Sequence, residues 1–491
     1  MRKVVLAAFL WVGLLCVLAV LPASAGAKNV ILMIADGWGY NQVLATNYYT
    51  GAPAVYEDST KGFKKWAMST YPLNLSGSPT GNDVQDANLV YDPAKAWSKA
   101  DEFTWSGGKL VPGANGVADA YDFLRNTYTD SAAAATVLNT GKKTYNSSIN
   151  WSNTDQPITD TIAKRFKDDG RGAGAVSTVQ WSHATPAGVY AHSASRGSYE
   201  QIAKEGVYGK AGDGKTYGPL LDVIMGAGNP DFNDNGQPAS NNPQMVGGAD
   251  AWAALKENTV SGVTHIQTRA EFLALPRGNA VGRYIGTFAA SSTSQQGRTA
   301  QNGENSDSLP YTTPRLTTTP TLSEMSLAAL NVLSSNAKGF YLMVEGGAID
   351  WANHANHKGR MIEEMIDFND AVSAVCGWVE AHSSWDETLV IVTGDHETGL
   401  LWGPNSSDSN PFDPVSDNGP GKMPGMKYNY SSHTNSLLPL YAKGVGADLF
   451  AEMIDGTDPV RGAYVDNSDV FKVATQAAVL ATAVPAQSEA E

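Results

Sequence analysis

The chain has 491 residues, 42% hydrophobic and 17% charged, with 34 basic against 49 acidic residues and a formal charge of −15. So acidic a surface argues against nucleic acid and anionic membranes as partners, while the length allows a large core and more than one domain. Of two cysteines, Cys16 lies in an apolar N-terminal run, which leaves Cys376 alone and excludes an internal disulfide.

In chain order, Arg2 and Lys3 precede an apolar stretch from Val4 to Leu21 and the small-residue segment PASAG. This is the pattern of a signal peptide cleaved after Ala25, so residues 1–25 are expected to be removed and the chain exported, periplasmic or secreted, without a stable membrane anchor. Without Arg2 and Lys3 the mature charge becomes −17. Four apolar runs then end in Gly and polar residues: VILMIADGWG from Val30, GAGAVSTVQ from Gly172, FYLMVEGGAID from Phe340 and TLVIVTGDHE from Thr388. Strands buried on both faces read this way. TDSAAAATVLNTG, Thr129 to Gly141, predicts a helix with Ser131 as N-cap and Gly141 as its stop. LSEMSLAALNVLSS from Leu322 predicts another. The run from Met361 to His382 predicts an amphipathic helix, with Ile362, Met365, Val372, Cys376 and Val379 on one face.

Strand–helix alternation predicts an α/β fold: a central, mostly parallel sheet flanked by helices on both faces, with ligands beyond the carboxyl ends of the strands. Residues 41–120, rich in Tyr, Trp, Gly, Asn and Asp, read as an elaborated loop region with little regular structure. Residues 289–319 read as a polar, mobile surface loop. With no internal repeat, residues 26–491 read as one catalytic domain carrying these insertions.

The strand ends carry Asp36, Glu345, Asp350, His354, Asp395 and His396, and His433 precedes a further apolar run. Taken singly, each acid is as readily a turn former; together they ask for metal. Asp350 and His354, four apart, share one face of a helical turn and with His433 form a set that suits Zn²⁺ with one position open. Asp36, Asp395 and His396 suit a second Zn²⁺, while Asp36, Thr185 and Glu345 offer the oxygens that Mg²⁺ prefers. Two ions about 4 Å apart clamp the entering and leaving oxygens of a phosphoryl displacement. Arg196 offers a planar fork for phosphate oxygens. DFNDNG, from Asp231, fits half of a calcium loop at Asp231, Asn233 and Asn235, but Asn242 replaces the final acid and a tight polar turn is the competing reading.

The motifs IADGWG, TDSAAAATVLNTGKKTYN, HATPAGVYAHSASR, MVEGGAIDWANH, VTGDHETG and SSHTN, in this order between about Asn29 and Gly446, resemble the alkaline phosphatase family. The resemblance implies its three-layer sandwich, two Zn²⁺ and one Mg²⁺ per chain, a homodimer, and hydrolysis of small phosphate monoesters through a phosphoserine. It makes Ser131 the nucleophile and second-zinc ligand, Arg196 the phosphate binder and Asp130 its orienting neighbour. The metal residues fall as above. His183 and Trp351 stand where the enteric-bacterial type has Asp and Lys; some marine and cold-adapted members pair His with Trp. The competing readings are a phosphodiesterase or sulfatase of the same superfamily, or a non-catalytic metal- or phosphate-binding envelope protein. SAAAA does not match the sulfatase motif, and a scavenger needs no nucleophile.

Overall fold

A computed structural model describes residues 26–98, 121–218, 220–275 and 281–479, with the backbone of 103–106 and 109–112. The expected signal peptide lies outside the described residues. The strands that build the site and its sheet are β1 (Asn29–Ala35), β2 (Lys64–Ser69), β3 (Gly172–Gln180), β4 (Val223–Ala227), β5 (Val263–Ile266), β6 (Arg283–Thr287), β7 (Phe340–Gly346), β8 (Thr388–Thr393), β9 (Glu397–Thr398), β10 (His433–Thr434), β11 (Leu438–Gly444), β12 (Gly456–Asp458) and β13 (Gly462–Asp466). The main helices are α1 (Tyr40–Thr50), α2 (Ser131–Thr140), α3 (Ile162–Asp168), α4 (Ala184–Ala187), α5 (Tyr199–Tyr208), α6 (Leu322–Leu333), α7 (Ala348–His354), α8 (Lys358–His382) and α9 (Ser468–Ala477).

Eleven strands form one sheet in the order β12-β13-β2-β11-β8-β1-β7-β3-β4-β6-β5. From β8 through to β5 every neighbouring pair is parallel. Beyond β8, β11 and β2 add antiparallel pairs. Every residue of β1, β3, β7 and β8 is buried, so both faces are covered, as an all-parallel core requires. Helices α6 and α8 pack together over this sheet, and α1 lies on α8; α2, α3 and α9 form a second group. The sheet core matches the expected α/β architecture, and all four apolar runs are strands.

Three expectations need correction. The stretch 41–120 contains α1 and the integral strand β2; KKWAMS hides its strand character because burial begins only at Ala67. Helix α8 starts at Lys358, ahead of Met361, because the His357 ring caps the Arg360 amide. Residues 289–319 contain no helix or strand, and they carry a buried anchor to the body of the fold that the polar composition did not announce. Arg298, 2% exposed, donates to Glu363 at 2.7 Å and to the carbonyls of Gln295 and Thr313, and Thr293, Ser294 and Gln295 are buried. The polar residues there divide between a buried hydrogen-bonded anchor around Arg298 and a surface stretch, 299–309, that is mostly exposed.

Candidate active site and metal centre

The parallel register carries the acids to one place. Ile34 of β1 pairs with Glu345 of β7 on one side and Thr393 of β8 on the other. Asp36 and Asp395 each lie two residues further on, so three carboxylates meet at the carboxyl edge of adjacent strands, all buried. Helix α7, immediately after β7, sets Asp350 and His354 one turn apart. The β9–β10 ribbon, pairing Thr398 with His433, brings the two remaining imidazoles alongside. The cleft above them is lined by Tyr128, Ser131, Arg196, Trp351, His354 and His433 and has a volume of about 520 Å³.

Ser131 was expected to cap α2. The cap is Asp130, in extended conformation, whose carboxylate accepts from the Ala133 amide at 3.0 Å; Ser131 is the first helical residue. Its hydroxyl is therefore free of helix duty. It is 2% exposed and stands 3.1 Å from His396 Nε2. Asp130 also takes the Ser147 amide at 3.0 Å and, with its second oxygen, Arg196 Nη1 at 2.9 Å. Arg196 Nη2 approaches His183 Nε2 at 3.4 Å, and Trp351 meets the His183 ring edge-on at 5.8 Å. Burial, with Arg196 beside it, pushes the His183 imidazole down to about 3, so it is neutral and its Nε2 can accept.

The donor set fits divalent ions. His354 Nδ1 lies 2.7 Å from the Ser431 carbonyl and His433 Nδ1 3.0 Å from the Thr129 carbonyl. Carbonyls only accept, so in each neutral ring the proton sits on Nδ1 and Nε2 presents a lone pair. The two Nε2 atoms face each other at 3.1 Å, and they lie 3.3 and 3.7 Å from Asp350 Oδ1. Tetrahedral zinc ligands at their usual bond lengths stand about 3.3–3.6 Å apart. A cation among these atoms removes the lone-pair repulsion. Likewise His396 Nε2 is 3.1 Å from Asp395 Oδ2 and 3.7 Å from Asp36 Oδ1, and neither oxygen has a hydrogen-bond partner. The clusters adjoin, with His396 also close to Asp350 and His433. Burial first, then the neighbouring acids, raises Asp36 and pushes Asp395 up to about 7; burial dominates in raising Glu345 to about 8. Thr185 Oγ1 donates to Asp36 Oδ2 at 3.4 Å, and Glu345 Oε1 is buried without a partner, which marks an all-oxygen pocket beside the second cluster.

All thirteen residues singled out in the sequence border this centre. Two more were missed: Ser177, whose hydroxyl donates to Glu345, and Thr398, which touches Asp350 and His396. Neither has a local signal, since each role depends on a partner distant in the chain. The calcium reading gives way to the polar turn. Asp231 Oδ2 is taken by Lys256 and Trp252, Asn233 Oδ1 accepts the amides of Asn235 and Gln237, and Asn242 caps a short helical turn.

A serine released from capping and set against clusters shaped for divalent ions, on an α/β sheet, defines the class, an α/β fold with a candidate metal centre beside a candidate nucleophile. Residues 116–452 match the profile of the alkaline phosphatase family. The chain belongs to that family. Alkaline phosphatase 4 of Bacillus subtilis is 32% identical over 272 residues, covering 55% of this chain and 50% of that protein. The chain thus spans about half the length of that relative. The Escherichia coli alkaline phosphatase is 28% identical over 469 residues, covering 88% and 84%. Among solved structures, the alkaline phosphatase of the Antarctic bacterium TAB5 superposes with a TM-score of 0.59 at 22% identity, covering 94% of this chain and 100% of that one. A His-to-Asp variant of the TAB5 protein has Mg bound in its M3 site.

Proposed function

We propose that this chain hydrolyses phosphate monoesters through a phosphoserine on Ser131. The observation that carries the reading is the Ser131 hydroxyl, freed from capping by Asp130, 3.1 Å from His396 of the Asp36–Asp395–His396 cluster and in the same cleft as Arg196. Asp350, His354 and His433 would hold one Zn²⁺, and Asp36, Asp395, His396 and Ser131 a second. Asp36, Thr185 and Glu345 would hold Mg²⁺, an oxygen-only set of the kind that ion prefers. When bound, such ions supply Lewis-acid charge at the attacking and leaving oxygens.

The chain's own residues do the rest. Arg196, held through Nη1 by Asp130 and with Nη2 beside His183, lines the cleft, where its guanidinium would bind phosphate oxygens, and the first amides of α2 face the same charge. Ser131 Oγ bonds to phosphorus as the ester P–O bond breaks in line, and the proton it gives up ends on the departing oxygen, which leaves as the alcohol. The alcohol leaves on the His354–His433 side, and water then cleaves the phosphoserine to release phosphate. His183, adjoining the third site, would make it more tolerant of zinc. Trp351 offers no cation to the product, so phosphate would be released readily.

The basic, apolar and small-residue N-terminal segment supports export to the periplasm or medium. Among the described residues no helix is long and apolar enough to cross a membrane. Membership of the family supports a homodimer. The test compares a monoester and a diester with the same leaving group, in parent protein and Ser131→Ala. We expect preference for the monoester and a loss in Ser131→Ala of at least about 10³-fold. Preference for the diester would move the reading to a phosphodiesterase, and unchanged turnover in Ser131→Ala would remove the phosphoserine.

A further inference from the structure

Thr398 is fully buried and has a single hydroxyl proton to give. That hydroxyl donates to Asp350 Oδ1 at 2.6 Å, so what it turns toward His396 Nδ1, at 3.3 Å, is an oxygen lone pair. The imidazole must then carry its proton on Nδ1. This leaves the Nε2 lone pair facing Asp36, Asp395 and Ser131. The backbone of Thr398 is pinned to the same centre: its amide donates to the Gly37 carbonyl, next to Asp36, and its β9 position pairs with His433.

We propose that Thr398 is a positioning residue that couples the two imidazole–carboxylate clusters, one hydroxyl orienting Asp350 of the first and His396 of the second. An ion seated on Asp350 fixes the orientation of that carboxylate, keeps the Thr398 hydroxyl turned toward it, and so keeps the oxygen lone pair aimed at His396 Nδ1. Loading of either cluster prepares the other. The inference rests on the metal-binding part of the proposed function and not on the substrate.

Thr398→Val keeps the shape and removes the hydroxyl; Thr398→Ser keeps the hydroxyl. Chelator-stripped parent and variants are titrated with Zn²⁺ against a competing chelator, and with Co²⁺ followed by visible absorption. The parent should load two ions cooperatively. Thr398→Val should bind on the order of 10–100-fold more weakly at both clusters, lose cooperativity and change the cobalt spectrum, with Thr398→Ser restoring all three. Parent-like affinity, cooperativity and spectrum in Thr398→Val would overturn the proposal, as would weakening confined to one cluster. Should Thr398→Val fail to fold by circular dichroism, Thr398→Ala against Thr398→Ser decides: Ser tight and Ala weak supports the coupling, equal binding overturns it. A parent that binds no ion would overturn the metal reading itself, a result distinct from any difference among the variants.

Discussion

Asp130 does with one carboxylate what two residues were expected to do. It closes the N-terminus of α2 and the Ser147 turn through one oxygen and holds Arg196 through the other, which leaves Ser131 unencumbered. The opposite case is Glu364, 2% exposed with both oxygens unpartnered. Burial, reinforced by Asp367 and Glu363 and only partly offset by Arg298 and Arg315, pushes it up to about 8. Folded protein therefore holds a proton there that the unfolded chain releases near 4.5. Where the folded state binds the extra proton, stability falls as pH rises. Urea unfolding of the metal-loaded protein should show parent stability falling relative to Glu364→Gln from about pH 4.5 to 8. A difference that stays flat or grows in the parent's favour would refute a neutral buried Glu364.

At the scale of elements, segment 289–319 is held to α8 by a buried ion pair, Arg298 to Glu363, with each side chain 1% exposed. Glu304 with Arg360 adds a second anchor. Removing one partner of a buried pair leaves an uncompensated charge, which costs roughly 3–5 kcal/mol, whereas replacing both with apolar groups is often neutral. Arg298→Met should destabilise by that amount and open 289–319 to proteolysis, and Arg298→Met with Glu363→Leu should recover much of the loss. Equal destabilisation in the single and double variants would show that shape, not charge, anchors the segment.

For the whole molecule, the sheet brings Asp36, Glu345 and Asp395 into one buried place, where as anions they need cations among them. An ion that binds only the folded state adds about 4 kcal/mol when its free concentration is 1,000 times Kd. Chelation should therefore abolish turnover and lower Tm together, and restoring Zn²⁺ and Mg²⁺ should return both. Calorimetry with and without chelator is the measurement; full activity and an unchanged Tm after verified ion removal would end the metal-dependent account.

Much of this protein is written in local pattern. Continuous apolar runs were enough to locate β1, β3, β7 and β8, because strands buried on both faces need apolar residues at most positions, not only at alternate ones. The acids and imidazoles at their ends were legible because a parallel sheet gathers whatever follows its strands. Other features were decided only by tertiary structure. Which of two adjacent residues, Asp130 or Ser131, caps α2 depends on where Arg196 and Ser147 arrive. The anchoring of 289–319 depends on Glu363, and the service of Thr398 on an Asp350 48 positions away. Hydrophobic periodicity is a property of neighbours along the chain, but a polar side chain takes its role from the partner that folding sets against it.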